Sequence, residues 1–502
     1  MIGRRWVVGA VVLAVAFGGI VPGVAVAESA WGECPPDPAG SDPRLRCAVL
    51  EVPLDYRAPG GRKIEIRVSR LATAKPGLRR GVLLHNGGGP GQASLHLPSR
   101  YAQAYSREVL DRYDLIGFDP RGVGYSTPIT CGRSPAELPN EWVMPFPAAD
   151  GSITGNVDYA RDLARDCLKH GGDIVRHVTT ANTARDMDRI RVALGERRIS
   201  YSSGSYGSYL GAVYATLFPE RTDRIVLDGN VDPNRVWHRQ WALWDSGAEL
   251  RFPDFAAWAV REGGFGATPD QVRAGFLALA KKLDRTPVVH PKAGPVNGNL
   301  LRAIFRAYSY HSLYFPEIGA WWRFLADGGP APAWGDPELV PGVPQDNSVA
   351  VLMAVTCGDT YWPHDIDQYR REVRVNRARY PILGGMGANI WPCAFWPKPL
   401  EPTVRVTTNG PTNILLLQTL RDPATPYAGA LGMRDSLGHR ARMITVNTGN
   451  HGAYDPTTPS CAITETHRFL TTGTLPRHDR TCEPDPGGPR QAGLTGFTPL
   501  LR

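Results

Sequence analysis

One turn of the chain decides the fold prediction: Ile199-Ser200-Tyr201-Ser202-Ser203-Gly204-Ser205-Tyr206-Gly207. Its first three residues are typical of a short buried strand, and residues 209–215 have the pattern of a helix. The chain must turn sharply between them, and small residues on both sides of Ser205 permit the strained backbone of such a turn. We therefore predict that Ser205 is a nucleophile. Ser203, the next serine on the same turn, is the alternative.

Short apolar runs bounded by turn residues recur on both sides of this turn. They are continuous, as in strands that are buried on both faces of a parallel sheet. Helical patterns lie between them, for example residues 183–194, which end at Gly195. Strands that alternate with helices predict a doubly wound α/β fold. After two β-like stretches at residues 48–52 and 64–68, the runs are Val82–Leu84, Leu115–Phe118, Ile199–Tyr201, Ile225–Leu227, Ile414–Leu417 and Met443–Val446.

The interval between Leu227 and Ile414 is far too long for a single crossover connection. Much of it has helical patterns, at residues 270–283, 298–307 and 365–378. We predict a mainly helical cap over residues 231–410, inserted after the sixth main strand, between core parts at 28–230 and 411–502. Tryptophans are frequent there, and we expect most of them to pack inside the cap: Trp237, Trp241, Trp244, Trp321, Trp322, Trp334 and Trp362.

A serine hydroxyl is a weak nucleophile, so it needs a base, an acid that orients the base, and donors for the oxyanion. His451 follows the last predicted strand in a glycine-flanked loop and is the candidate base. Asp422 lies just past the preceding strand and is the candidate acid. Asp228, at the end of the sixth strand, is the rival acid. The chain order Ser, Asp, His is the one that α/β-hydrolases use.

A glycine run directly follows the strand at residues 82–84: His85-Asn86-Gly87-Gly88-Gly89-Pro90-Gly91. Glycines let backbone N–H groups approach a developing negative charge. We predict that the oxyanion is bound by the N–H of Gly89 and by that of Tyr206, the residue after the nucleophile. A phosphate-binding loop is excluded because the Gly-Lys-Ser/Thr ending is missing.

The first 27 residues have the pattern of a secretory signal peptide. Arg4 and Arg5 precede an apolar run that is short for a membrane span, and Ala25-Val26-Ala27 is a small-residue cleavage site. We therefore expect a secreted protein without stable membrane association. Its eight cysteines suit an oxidising compartment. Proximity in sequence suggests the pairs Cys34–Cys47, Cys131–Cys167, Cys357–Cys393 and Cys461–Cys482, although eight cysteines allow many pairings.

Composition argues against several other classes of protein. The chain is 42% hydrophobic and 21% charged, which is ordinary for a globular protein. Removal of residues 1–27 takes away two arginines and no acids, so the net charge of +8 becomes +6. The basic residues are scattered, so a nucleic-acid partner is not expected. The cysteine and histidine spacing does not suggest zinc, and we predict no metal and no cofactor.

Several motifs together resemble the tripeptidyl aminopeptidase family, which are secreted α/β-hydrolases related to prolyl aminopeptidases. They are the glycine run above, D-P-R-G-V-G-Y-S at 119–126, A-R-D-M-D-R-I-R-V-A-L-G at 184–195, S-Y-G-S-Y-L-G at 205–211, V-L-D-G-N-V-D-P at 226–233, C-G-D at 357–359 and D-P-A-T-P at 422–426. The resemblance implies the triad Ser205, Asp422 and His451. The family's turn usually has glycine where this chain has Ser203. Arg121 of the second motif is expected to tie neighbouring loops together.

The resemblance also implies a function: an exopeptidase that removes short peptides, often tripeptides, from a free N-terminus. Such an enzyme needs an acidic residue to hold the substrate ammonium, and Glu249 and Asp359 are candidates. An esterase or lipase on the same scaffold is the first alternative, because the same triad cleaves esters. A catalytically silent binding protein is the second. The oligomeric state is not predicted.

Overall fold

A nine-stranded sheet forms the centre of the computed structural model, which describes residues 30–37, 39–335 and 340–485. Within these residues the strands are β1 (Arg46–Pro53), β2 (Lys63–Leu71), β3 (Gly81–Asn86), β4 (Tyr113–Phe118), β5 (Ile199–Gly204), β6 (Thr222–Asp228), β7 (Val288–His290), β8 (Gly294–Val296), β9 (Ile414–Thr419), β10 (Ala441–Val446) and β11 (Arg480–Cys482). The order in the sheet is β1-β2-β4-β3-β5-β6-β9-β10-β11, while β7 and β8 form a separate hairpin. The pairs β1/β2 and β2/β4 are antiparallel, and all others in the large sheet are parallel.

Helices cover both faces of the sheet and build the segment between β6 and β9. In chain order they are α1 (Leu97–Ala104), α2 (Arg107–Leu110), α3 (Asn140–Val143), α4 (Thr154–His170), α5 (Thr180–Ala193), α6 (Tyr206–Leu217), α7 (His238–Trp241), α8 (Leu243–Glu262), α9 (Pro269–Arg285), α10 (Gly298–Tyr308), α11 (Phe315–Asp327), α12 (Asn347–Gly358), α13 (Ile366–Arg379), α14 (Tyr427–Leu437) and α15 (Cys461–Thr472). The five helical patterns expected from the sequence correspond to α5, α6, α9, α10 and α13.

The parallel strands are buried on both faces, as their continuous apolar runs predict. Successive residues of a strand enter opposite cores, because side chains alternate across a sheet. Leu83 packs with α2 and α15, whereas Val82 and Leu84 pack in the larger core with α5 and α6. Because strands β3 to β6 and β9 to β11 pair in parallel, their carboxyl ends meet at one edge of the sheet. Open α/β sheets bind ligands at this edge.

The segment between β6 and β9 is mainly helical, with α7 to α13 and the β7–β8 hairpin. Trp321 and Trp362 are fully buried against other cap residues, as expected, whereas the buried Trp237 packs against Tyr206 and Tyr209 of α6. The segment also contacts residues that precede α5. Asn389 donates to the Pro145 carbonyl oxygen and Asn299 to that of Pro147. Residues 134–170 thus pack beside the cap, although the predicted core part includes them.

Disulfides and a buried ion pair fasten the loops. The four bonds are Cys34–Cys47, Cys131–Cys167, Cys357–Cys393 and Cys461–Cys482, as sequence proximity suggested. Arg121 is fully buried, pairs with Asp186 through distances of 2.7 and 2.6 Å, and donates to three backbone carbonyl oxygens. Its predicted structural role is confirmed.

The architecture is an α/β-hydrolase fold with a helical cap, as predicted from the sequence. The domain boundaries at residues 230 and 410 stay a prediction, and the signal peptide at 1–27 lies outside the described residues. A helix long and apolar enough to cross a membrane was not found in the described part of the chain.

Candidate active site

Ser205 occupies the tight turn between β5 and α6, with φ +57° and ψ −129°. An L-residue seldom adopts this conformation, and such strain is typical of a nucleophile held at the edge of a sheet. The Ser205 N–H donates to the Asp228 carbonyl oxygen at 2.9 Å, which ties the turn to β6. A Cβ on Gly88 would lie 3.4 Å from the Ser205 Cβ and 3.1 Å from the Gly204 carbonyl oxygen. Glycine at position 88 therefore lets the two loops approach.

Ser203, the alternative nucleophile, is held in the sheet instead. Its hydroxyl donates to the Asn86 carbonyl oxygen at 2.7 Å, and the residue is buried at the end of β5. Gly207 makes room for this side chain, because a Cβ at residue 207 would collide with the Ser203 Oγ. The hydroxyl is thus used as a bond between β5 and β3. The departure from the usual glycine at position 203 is accommodated below the turn.

The predicted acid and base lie in contact. His451 Nδ1 is 2.9 and 3.0 Å from the two carboxylate oxygens of Asp422, which is fully buried. The Asp422 carboxylate also accepts the backbone N–H groups of Ala424 and Thr425, both at 2.8 Å. The carboxylate is therefore fixed, and it keeps the proton on Nδ1, so that Nε2 can accept one.

Burial and charge act in opposite directions on His451. Burial lowers its pKa, but the Asp422 carboxylate outweighs this through charge attraction and hydrogen bonding, so the pKa is raised above 6.5. Thr425 adds a contact that the sequence did not predict. Its hydroxyl donates to Asp422 Oδ2 at 3.0 Å and lies 3.4 Å from His451 Nδ1. Its place three residues after Asp422 is the one signal that could have identified it.

Asp228, the rival acid, does not bond to the imidazole in this structure. Its carboxylate accepts the N–H groups of Ala453 and Tyr454 at 2.8 to 3.0 Å. Burial raises its pKa to about 6, against the opposing effect of these two bonds. Asp228 thus holds the backbone after the histidine, whereas Asp422 holds the imidazole.

The predicted oxyanion donors lie beside the serine turn. Gly88 and Gly89 have φ of +80° and +101°, a backbone conformation that favours glycine. The Gly88 N–H donates to the Asn86 side chain at 3.0 Å. The N–H groups of Gly89 and Tyr206 have no partner among the residues that the structure describes. Their position beside the serine turn is compatible with the predicted oxyanion site, which stays a prediction.

A cavity of about 410 Å³ lies above Ser205 and His451. Ligand pockets of about 300–1,000 Å³ are usual for small molecules. The glycine run and the serine turn line its floor, and the cap lines much of its wall through Trp241, Trp244, Arg306 and Tyr310. Residues 135–144 also contribute. Neither this segment nor the two lining tryptophans could be singled out from the sequence, because no local pattern separates a lining residue from a core one.

The cap also holds the loop that carries His451. The His451 N–H donates to the Tyr310 carbonyl oxygen at 2.7 Å. Next to it, the Asn450 Oδ1 accepts the N–H and the hydroxyl of Ser312 at 3.0 and 3.1 Å. His311 contacts Asp455 at 2.8 Å. Cap residues 310–312, called the cap clamp below, thus fix both the backbone and the side chains around His451.

The two candidates for the substrate ammonium do not line this cavity. Glu249 is paired with Arg273 at 2.7 Å and accepts the Ile382 N–H. Asp359 is buried and accepts bonds from Thr180 and Trp237. The expectation that one of them meets the substrate is therefore corrected. Among the described residues, the acids that line the cavity are Asp228 and Asp455.

Comparisons with known proteins find relatives along most of the chain. The family described as TAP-like protein matches residues 381–482. The chain is 33% identical over 474 residues to the tripeptidyl aminopeptidase of Streptomyces lividans, which covers 90% of this chain and 86% of that protein. It is 28% identical to the serine protease Hip1 of Mycobacterium tuberculosis, with 90% of each chain covered. It is also 31% identical to carboxylesterase B of the same organism, over 93% of this chain and 92% of the other.

Proposed function

The chain belongs to the tripeptidyl aminopeptidase family of α/β-hydrolases, and we propose that it is a secreted exopeptidase that releases short peptides from free N-termini. Family membership makes it a serine hydrolase of the peptidase type. Tripeptides are the proposed product, after the name of the relatives. Ser205, Asp422 and His451 are the proposed triad, with Gly89 and Tyr206 as oxyanion donors.

The proposed reaction is acyl transfer in two steps. The Ser205 Oγ attacks the scissile carbonyl carbon while its proton passes to His451 Nε2, and the carbonyl oxygen takes the negative charge toward the two N–H donors. The C–N bond then breaks, and His451 returns the proton to the leaving amine. Water attacks the acyl-enzyme with the same base, which releases the short peptide and restores Ser205.

The observation that carries this proposal is the cavity under the cap. Ser205 lies on its floor, and the wall includes residues of α10 and α12 together with the segment 135–144. The Gly91 backbone even contacts the cap, since a Cβ there would be 2.6 Å from the Ser348 carbonyl oxygen. A covered cavity admits the end of a peptide chain more readily than an internal segment of a folded protein. The cavity therefore supports an exopeptidase.

A panel of peptide–aminocoumarin substrates tests the proposal. It contains one, two or three residues before the coumarin, each with a free or an acetylated N-terminus. We expect the free three-residue substrate to be cleaved best, and acetylation to reduce kcat/KM by at least about 100-fold, since the substrate ammonium is then lost. Equal cleavage of acetylated substrates would contradict the exopeptidase proposal.

An ester hydrolase is the second candidate, and one observation favours it. Both lining acids already accept hydrogen bonds: Asp228 from two backbone N–H groups, and Asp455 from His311, Asn450 and Thr457. Neither is an open site for an ammonium. Nitrophenyl esters added to the panel separate the two functions, because turnover of esters alone would replace the peptidase proposal.

Export is proposed on two grounds: the leader pattern at residues 1–27 and the four disulfides. Disulfides persist in oxidising compartments. We expect the protein in the culture medium of its host to begin near Glu28, which N-terminal sequencing would show. A protein that retains residues 1–27 and stays with the cells would contradict this.

A further inference from the structure

One positive charge in the cavity wall has no acidic partner among residues 30–37, 39–335 and 340–485. Arg306 lies on α10, is half-buried and lines the cavity that holds Ser205. Its guanidinium lies over the ring of Trp244, 4.4 Å from the centroid, and 5.6 Å from the centroid of Tyr310. Trp244 is itself fixed, because its Nε1–H donates to the Ala424 carbonyl oxygen at 2.8 Å. The arginine is thus held against a fixed aromatic wall.

The hydrogen bonds of Arg306 leave most of its donors unused. One nitrogen, Nη2, donates to the Tyr310 hydroxyl at 3.1 Å. The Nε atom is buried without a hydrogen-bond partner, and no carboxylate of the described residues lies within ion-pair distance of the guanidinium. A guanidinium has five N–H groups in a planar fork. A half-buried charge with so few bonds is costly for a fold, unless a ligand completes it.

Other arginines of the cap show the contrast. Arg251 pairs with Asp254 at 2.6 Å, and Arg273 pairs with Glu249 at 2.7 Å. Both are bound within the fold and do not line the cavity. Among the residues that the structure describes, Arg306 is the cap arginine that lines the cavity, and it has no acidic partner there. Arg251 and Arg273 thus have acidic partners, whereas none of the described acids pairs with Arg306 at the cavity.

Arg306 also lies close to the reacting groups. The Tyr310 hydroxyl that it contacts belongs to a ring whose centroid is 5.0 Å from that of His451, in an edge-to-face arrangement. An anion bound by Arg306 would lie beside the imidazole that serves Ser205. The site is therefore within the reach of a substrate whose scissile bond lies at Ser205.

We propose that Arg306 is a specificity-determining residue that binds a carboxylate of the substrate through its free N–H edge. The proposal rests on acyl transfer at Ser205, and it deepens the proposed function by naming the substrate class: short peptides that carry a carboxylate near the scissile bond. That carboxylate is either an Asp or Glu side chain or the C-terminal carboxylate of a short leaving peptide. Bidentate arginine–carboxylate pairs are among the strongest charge-assisted hydrogen bonds.

Matched substrate pairs test the proposal and distinguish the two sources. One set differs only in Glu against Gln at each position before the scissile bond. A second set consists of four-residue peptides with a free C-terminal carboxylate or a C-terminal amide. We expect at least about a tenfold preference in kcat/KM for the charged member in one of the two sets, the effect of one buried charge-assisted contact.

Variants then assign the preference to Arg306. In Arg306→Gln the ratio of charged to neutral kcat/KM should fall to about one, whatever the absolute rate, and in Arg306→Lys it should be intermediate. Arg323→Gln is the matched control, because Arg323 is an exposed cap arginine that lies over Phe265, and its ratio should stay that of the wild type.

Two results would overturn the proposal. A charged-to-neutral ratio near one in both sets for the wild-type enzyme removes it, even if Arg306→Gln fails to fold. A preference that persists in Arg306→Gln assigns the carboxylate to another residue. If peptides are not cleaved at all, a nitrophenyl monoester of a dicarboxylic acid and its methyl-capped form replace the pairs. The ester pair still gives a charged-to-neutral ratio of kcat/KM. The carboxylate site can therefore be tested even if the peptidase proposal fails.

Discussion

The carboxyl edge of the sheet and the cap clamp meet at the same histidine, but they hold it in different ways. The edge supplies the side chains of Ser205 and Asp422, each placed by the end of a strand. The clamp supplies backbone and polar contacts from residues 310–312 and fixes the loop that carries His451. The side chains of the proposed triad therefore belong to the core, while their alignment depends in part on an inserted segment.

The difference shows that the core places some groups of the site, whereas contacts from the cap align others. Edge groups rest on parallel strands that are buried on both faces, so their positions follow from the core itself. The clamp acts only when the cap is seated on the core. Substitutions at the edge should therefore abolish catalysis, whereas substitutions at the clamp should only lower kcat.

Ser205→Ala should have the largest effect. Without the nucleophile no acyl-enzyme forms, and we expect kcat to fall on the order of 10⁶-fold, with fluorophosphonate labelling abolished. Ser203 remains in this variant and should not take over, because its hydroxyl bonds to the Asn86 carbonyl oxygen. Labelling of Ser203, detected by mass spectrometry, would contradict the assignment.

Asp422→Asn should come next, with a loss of about 10⁴-fold in kcat. An amide cannot hold the imidazole in the tautomer that the carboxylate enforces. Asp228→Asn is the matched control from the neighbouring strand. It keeps an acceptor for the N–H groups of Ala453 and Tyr454, so we expect a loss of about tenfold or less. The reverse ranking of the two kcat values would show that Asp228 is the acid.

The sequence predicts the edge better than the clamp, for a physical reason. Strand ends are visible as breaks in apolar runs, so the chain order of Ser205, Asp422 and His451 follows from local patterns. The clamp is a contact between residues some 140 positions apart, Ser312 with Asn450, and nothing local marks either one. The cavity arginine Arg306 was missed for the same reason. The lack of a described carboxylate beside its guanidinium can be recognised only once the folded structure shows which residues surround it.

The pH profile tests the edge without a substitution. Burial lowers the pKa of His451, but Asp422 raises it more, so the net pKa lies above 6.5. The base must be unprotonated, so kcat/KM should fall as the pH drops through this raised pKa, by about 100-fold two units below it. In Asp422→Asn the acidic limb should move to lower pH, because the attraction that raised the pKa is removed. A limb unchanged in this variant would exclude His451 as the titrating group.

Asn450→Ala tests the clamp, and we expect a fall of about 10- to 100-fold in kcat with little change in KM. The variant removes the bonds to Ser312 and Asp455, so the imidazole loses its alignment while the substrate site stays. Asn447→Ala is the control, since that side chain lies on the same loop but bonds to Arg421 and Glu483 rather than to the cap clamp. An equal loss in both variants would mean that the effect is general loop destabilisation.

Ser203→Gly should have the smallest effect on catalysis, within about threefold in kcat/KM, because this hydroxyl serves the sheet and not the substrate. It should still lower the free energy of unfolding by about 1–2 kcal/mol, since a hydrogen bond to Asn86 is lost and a strand gains a glycine.

The same variant also separates packing from chemistry at the edge. In the wild type, a Cβ on residue 207 would lie 1.8 Å from the Ser203 Oγ and 2.7 Å from its Cβ, whereas the nearest atom outside Ser203, the Tyr201 hydroxyl oxygen, would be 3.2 Å away. Gly207→Ala should therefore destabilise the wild type strongly and the Ser203→Gly variant much less. Thermal unfolding of the wild type, the two single variants and the double variant measures this difference. Additive losses would show that Ser203 and Gly207 do not share this space.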